Sequence, residues 1–118
     1  MKKIILILLL LSIPCIRSFA AQETKLIYPT NPIVYNKTLT LADTEYSQAL
    51  PAGCKKIMVQ CRTAYDVKMT YTSGGSGTTY YTLKANTWYW DDFIDGTVKT
   101  IYMQSTQAGV VVEILCWY

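Results

Sequence analysis

The chain has 118 residues, with 11 Lys and Arg against 8 Asp and Glu, and no histidine. That length supports one compact domain or little more. The missing histidine removes the usual general base of serine and cysteine hydrolases and the commonest metal ligand, which argues against an enzyme.

Residues 1–20 read as a cleaved secretory signal peptide. Met1-Lys2-Lys3 is basic, Ile4 to Ile13 is apolar except at Ser12, and Ser18-Phe19-Ala20 sets small residues at the −3 and −1 positions of a cleavage site. The apolar run is too short to span a bilayer comfortably. Cleavage after Ala20 leaves 98 residues and takes Lys2, Lys3 and Arg17 away, so 8 basic residues face 8 acidic ones. A neutral chain has no electrostatic case for binding nucleic acid. The expected location is outside the cytoplasm: periplasm, cell surface or extracellular space.

Residues 21–32 read as an extended N-terminal arm, because Leu26 to Pro32 carries two prolines and an asparagine. A strand is predicted over Ile33–Leu41, and a short one over Glu45–Leu50 before the turn at Pro51-Ala52-Gly53. Lys55–Leu83 reads as three strands of one layer, with the rest of the chain as its cover. Ile57, Val59 and Cys61 alternate with polar neighbours, as do Tyr65, Val67, Met69 and Tyr71, and Ser73-Gly74-Gly75-Ser76-Gly77 reverses the chain. Tyr71 and Tyr81 are expected in the core. Thr87–Trp90 sets Trp88 and Trp90 on one face and Tyr89 on the other, without deciding which is outside. Strands over Val98–Gln104 and Val110–Trp117 complete the set. In the last, Glu113 fixes the facing: Val110, Val112, Ile114 and Cys116 inward, Val111, Leu115 and Trp117 outward. Seven or eight short strands without a helical period predict an all-β fold, a single antiparallel β-sandwich over residues 33–118, with a jelly roll among its arrangements.

Three cysteines remain after cleavage, and export permits a disulfide. Cys61 and Cys116 both face inward and could bridge the two layers; the alternative is buried free thiols that pack as small hydrophobes. The cysteines lack zinc-ligand spacing, and no nucleophile elbow or phosphate loop is present, so neither a cofactor nor a metal is expected. Asp91, Asp92 and Asp95 match no EF-hand spacing and read as a polar turn.

The ten tyrosines and three tryptophans all fall after residue 20. Adjacent rings such as Tyr80/Tyr81 and Trp88/Tyr89/Trp90 face opposite ways, so some must lie outside the core. Tyr80, Trp88, Trp90, Val111, Leu115 and Trp117 are therefore the candidate interface or ligand residues. A protein partner or self-association, including edge pairing by the C-terminal strand, stands beside glycan stacking and plain cross-strand packing.

LPAGCKKIMVQCRTAYDVKMTYTSGGSGTTYYTL (50–83) and KTIYMQSTQAGVVVEI (99–114) resemble small β-sandwich structural proteins of tailed phages, which end in a similar Ala-Gly-Val-Val-Glu strand. The resemblance implies a virion-associated or decoration-type structural module with no cofactor, and it carries no catalytic motif. The reading of the sequence is thus an exported, non-enzymatic structural or interaction module. The alternative is a cell-surface carbohydrate-binding domain.

Overall fold

The computed structural model describes residues 32–95, 97 and 99–118. The signal peptide and the arm up to residue 31 lie outside the described residues. Eight strands follow in order: β1 (Pro32–Leu39), β2 (Tyr46–Ala49), β3 (Lys56–Cys61), β4 (Val67–Thr70), β5 (Tyr81–Leu83), β6 (Trp88–Asp91), β7 (Thr100–Gln104) and β8 (Val110–Trp117). They form two four-stranded sheets, β1-β8-β3-β6 and β2-β7-β4-β5, with every pairing antiparallel.

Period-two alternation builds both layers. Ile57 and Val59 of β3 and Val110, Val112, Ile114 and Cys116 of β8 are fully buried from one side. Val67 and Met69 of β4, Leu83 of β5, and Ile101 and Met103 of β7 meet them from the other. Aligned strand by strand, the sheets are four ribbons, β1/β2, β8/β7, β3/β4 and β6/β5, each giving one strand to each layer. That winding is the jelly roll. Pro32 opens β1, an edge strand, where its missing N–H costs no ladder bond.

Several expectations need correction. β3 lies in one sheet and β4 and β5 in the other, so Lys55–Leu83 spans both layers instead of forming one. The chain crosses over in the Arg62–Asp66 link, where Ala64 adopts a positive φ of 55°. β4 and β5 do pair, yet the glycine-rich segment between them is no tight hairpin. It contains a 3-10 turn at Gly75–Gly77, entered through Gly74 at φ 75°. Glu45 ties this loop down: its carboxylate accepts the Gly74 N–H at 2.8 Å, the Ser76 N–H at 3.1 Å and the Ser76 hydroxyl at 2.5 Å. Tyr71 and Tyr81 are not core residues; both are exposed, because they lie at the ends of short strands beside the open β5/β6 margin.

The disulfide joins Cys54 to Cys116, and Cys61 is free and buried. The expected Cys61–Cys116 bridge fails on register. β3 and β8 are neighbours in one sheet, Cys61 stands opposite Val112, and Cys116 stands opposite Ile57. Four residues of extended chain separate the two thiols along the strands, roughly 13 Å. Cys54, just before β3, comes within 6.4 Å of Cys116 between Cα atoms as Lys55 N–H bonds the Trp117 carbonyl.

Candidate interaction face

The outer face of the β1-β8-β3-β6 sheet carries five of the six candidate residues and gathers four of them, Trp88, Trp90, Leu115 and Trp117, towards one end. Register sets the pattern. Leu115 of β8 stands between Val34 of β1 and Met58 of β3, and Met58 stands opposite Trp90 of β6. An apolar row thus crosses the whole sheet. Beside it runs a second row in which Trp117 stands between Pro32 and Lys56. Trp90 and Trp117 lean towards each other across β3, ring centres 5.8 Å apart and planes 18° from parallel, an offset stack. The Lys56 ammonium sits 4.5 Å from the Trp90 ring and 5.5 Å from that of Trp117, and it pairs with Asp92 at 2.9 Å. Val34 (59%) and Trp88 (62%) are the most exposed large hydrophobic residues of this face. Trp88 and Trp90 are thus the outward residues of β6, and Tyr89 packs on the core.

On the other flank the face turns polar. Glu113 stands between Asn36 and Gln60, and Gln60 stands opposite Trp88. Gln60 Nε2 donates to Glu113 at 2.6 Å, Arg62 Nε donates to it at 2.7 Å, and Arg62 Nη2 donates to Asn36 Oδ1 at 3.0 Å. The Gln60 amide and then the Arg62 guanidinium hold the Glu113 carboxyl below its ordinary value.

Two candidates fall away from this cluster. Val111 lies past Glu113, beside Arg62, and its N–H donates to Thr63 Oγ1 at 3.3 Å. Tyr80 belongs to the other sheet's margin, where its ring carries the Lys68 ammonium at 5.1 Å. Edge pairing through β8 is also closed, since β8 is hydrogen-bonded on both sides, to β1 and β3. Val34, Met58 and Lys56 are members that sequence reasoning missed. Met58 and Lys56 sit in plain view at the outward positions of β3, but only register shows that they continue the Leu115 and Trp117 rows.

The opposite sheet gives a contrast. Its outward positions are Ser47 and Ala49 of β2, Thr100, Tyr102 and Gln104 of β7, Lys68 and Thr70 of β4, and Thr82 of β5. That is an ordinary solvated face, with the Tyr102 ring on β7 and the Tyr80 ring over Lys68 at its margin.

The three neighbouring aspartates do not converge. Asp91 accepts from Tyr71 at 2.9 Å, Asp92 pairs with Lys56, and Asp95 accepts the Thr97 hydroxyl at 2.6 Å and pairs with Lys99 at 3.4 Å. Among the described residues no group of three or more cysteine or acidic side chains is placed to hold a metal ion, and no helix is long and apolar enough to cross a membrane. Compared with known proteins, the chain matches no protein-family model, no curated protein and no solved structure.

Proposed function

We propose that this protein is an exported, non-enzymatic structural or interaction module that docks a protein, another copy of itself included, on the outer face of the β1-β8-β3-β6 sheet. The observation that carries the reading is the continuous row Val34–Leu115–Met58–Trp90, flanked by Trp117 and by the Arg62–Glu113–Gln60 clamp. Protein contacts have this anatomy: an apolar centre rich in aromatics and methionine inside a polar rim. Isolated exposed hydrophobics need no explanation, but a contiguous patch does.

The arrangement of rings favours protein over sugar. A glycan platform offers open ring faces to the pyranose, and Trp90 and Trp117 largely turn theirs on each other and on Lys56. Trp88 alone keeps a free indole on this face. The signal-like N-terminus supports export, and the resemblance to phage structural proteins agrees with a role in assembly.

Light scattering of the purified protein, with and without reductant, tests the proposal. The expected result is an oligomer that Leu115→Lys or Trp117→Lys reduces to the monomer while Tm stays within a few degrees. A wild-type monomer at high concentration would eliminate self-docking and leave a separate protein partner. Sugar binding that disappears in Trp88→Ala would replace this reading with a carbohydrate-binding one.

A further inference from the structure

A second, chemically different site lies on the open margin between the edge strands β5 and β6. A cavity of about 280 Å³ there is lined by Met69, Thr70, Thr79 and four tyrosines, Tyr71, Tyr80, Tyr81 and Tyr89. Tyr81 and Tyr89, both in the lining, pack at 5.1 Å between ring centres. Asp91 lies outside the lining, hydrogen-bonded to two of its tyrosines. Its Oδ2 accepts the Tyr71 hydroxyl at 2.9 Å and the Tyr89 hydroxyl at 3.4 Å, and its Oδ1 accepts the Phe93 N–H at 3.0 Å.

The charge on this aspartate has no cationic partner. Asp66, Asp92, Asp95 and Glu113 each pair with a lysine or arginine; Asp91 pairs with none among the described residues. Four tyrosine rings, whose faces are electron-rich, therefore line the cavity, and a half-buried carboxylate stands just outside the lining, hydrogen-bonded to the hydroxyls of two of them. Both features attract positive charge. Tyr80 already shows this chemistry with Lys68.

The lining also decides which kind of cation fits. Calcium, magnesium and other compact ions need several oxygen ligands, carboxylates above all, to replace their water; this lining has no carboxylate, and the Tyr71 and Tyr89 hydroxyls are engaged by Asp91 outside it. A quaternary ammonium is weakly hydrated, spreads its charge over methyl groups, and gains most from an aromatic enclosure. The cavity is small by the standard of ligand sites, roughly 300–1,000 Å³, so it suits a head group more than an extended molecule. We infer that the Tyr71–Tyr80–Tyr81–Tyr89 cavity binds the quaternary ammonium group of a small molecule of the choline class, with Asp91 supplying the compensating charge. The Thr79 side chain is exposed at the cavity and offers a hydroxyl to the ligand's polar end.

The test is a titration of the purified protein with choline, followed by NMR of the Met69 methyl and the tyrosine rings. 3,3-Dimethyl-1-butanol, which has the same shape without the charge, is the comparator. Phosphocholine separates a free base from a lipid head group as the source. Choline or phosphocholine should saturate these shifts at a concentration roughly tenfold or more below the neutral alcohol. Asp91→Asn should weaken choline and leave the alcohol unchanged. Tyr80→Leu, at an exposed ring outside the core, should weaken both cations and serves as the second variant if Asp91→Asn unfolds. Equal binding of choline and the alcohol would overturn the inference. So would the absence of a saturable shift with either cation, or saturation of the same resonances by a neutral hexose.

Discussion

Replacing Cys54 with alanine should be among the most destabilising single changes in this domain, and the structure gives its size. The Cys54–Cys116 bond closes a loop across a sequence separation of 62. In the chain-entropy account, cross-linking a loop of that length removes about 4 kcal/mol of disorder from the unfolded state. Both sulfurs are fully buried, so each truncation to alanine adds a small packing loss, about 1 kcal/mol. For a domain of this size, about 4 kcal/mol corresponds to a fall in Tm of ~20 °C. The assay is calorimetry of the air-oxidised protein with and without reductant, beside Cys54→Ala, Cys116→Ala and the double variant. Reductant on the wild type should reproduce most of the Cys54→Ala shift. The double variant should lose little beyond either single one, because the bond can be broken only once. Cys61→Ala should lower Tm by only a few degrees, since Cys61 contributes packing and one weak thiol–hydroxyl contact with Thr63 but no cross-link. Peptide mapping under non-reducing conditions identifies the bridge directly. A Cys61–Cys116 peptide, or a Tm indifferent both to reductant and to Cys54→Ala, would refute the register argument.

Three further outcomes are expected. Gly109 turns the chain into β8 at φ 73° with no atom within 4 Å of a Cβ placed there, so Gly109→Ala should cost about 1 kcal/mol from backbone strain alone, measured by urea unfolding. Acid should destabilise the fold. The Ser76 hydroxyl and Gly74 N–H hold the Glu45 carboxyl below its ordinary value, as the Gln60 amide and the Arg62 guanidinium hold that of Glu113. A depressed folded pKa gives stability that is present above the unfolded value, about 4.3 for Glu, and lost as pH falls through the folded one. Tm should therefore be flat above about pH 5 and fall below about pH 4, with a shallower fall in Glu45→Gln; a Tm rising with acid would contradict these contacts. Finally, Tyr102→Lys on the polar sheet should leave any assembly intact under light scattering. Loss of assembly there as complete as with Leu115→Lys would move the docking surface to the other layer.

Much of the fold was legible in the sequence because alternation reports facing directly. β8 runs over the residues expected, its inward set is Val110, Val112, Ile114 and Cys116, and Glu113 marks the outer side as anticipated. Trp88 and Trp90 share a face for the same reason. Alternation says nothing about which strand lies beside which. That gap accounts for placing β3, β4 and β5 in one layer, for pairing Cys61 with Cys116, and for treating β8 as an edge. Each depends on pairing between distant segments, as in β3 with β8 and β1 with β8. The exposed Tyr71 and Tyr81 show a second limit: a ring at the correct parity still lies outside the core when its strand is short and marginal. The candidate face was half legible. Leu115 and Trp117 declared themselves as oily outward positions and Trp88 and Trp90 as a pair sharing one undecided face, whereas Val34, Met58 and Lys56 gained meaning only from register.

The two sheets of this sandwich provide an internal comparison that strengthens the case for a docking face. Both sheets have the same number of strands, share one core and obey the same alternation, so folding places similar demands on their outer surfaces. One sheet meets water mostly with serine, threonine, glutamine and lysine, beside a scattered Ala49 and Tyr102. The other places valine, leucine, methionine and two tryptophans in adjacent rows, and it collects them from four strands far apart in the chain. A single oily residue facing water is unremarkable. Separate strands contributing apolar residues at matching register is a different matter, because each one leaves water-exposed apolar area that burial in a contact would relieve at about 25 cal/mol per Å². Core formation does not call for that row, since the inward residues already fill the space between the layers. Docking does call for it, and the Arg62–Glu113–Gln60 clamp at its flank gives such a contact a polar boundary and a fixed register.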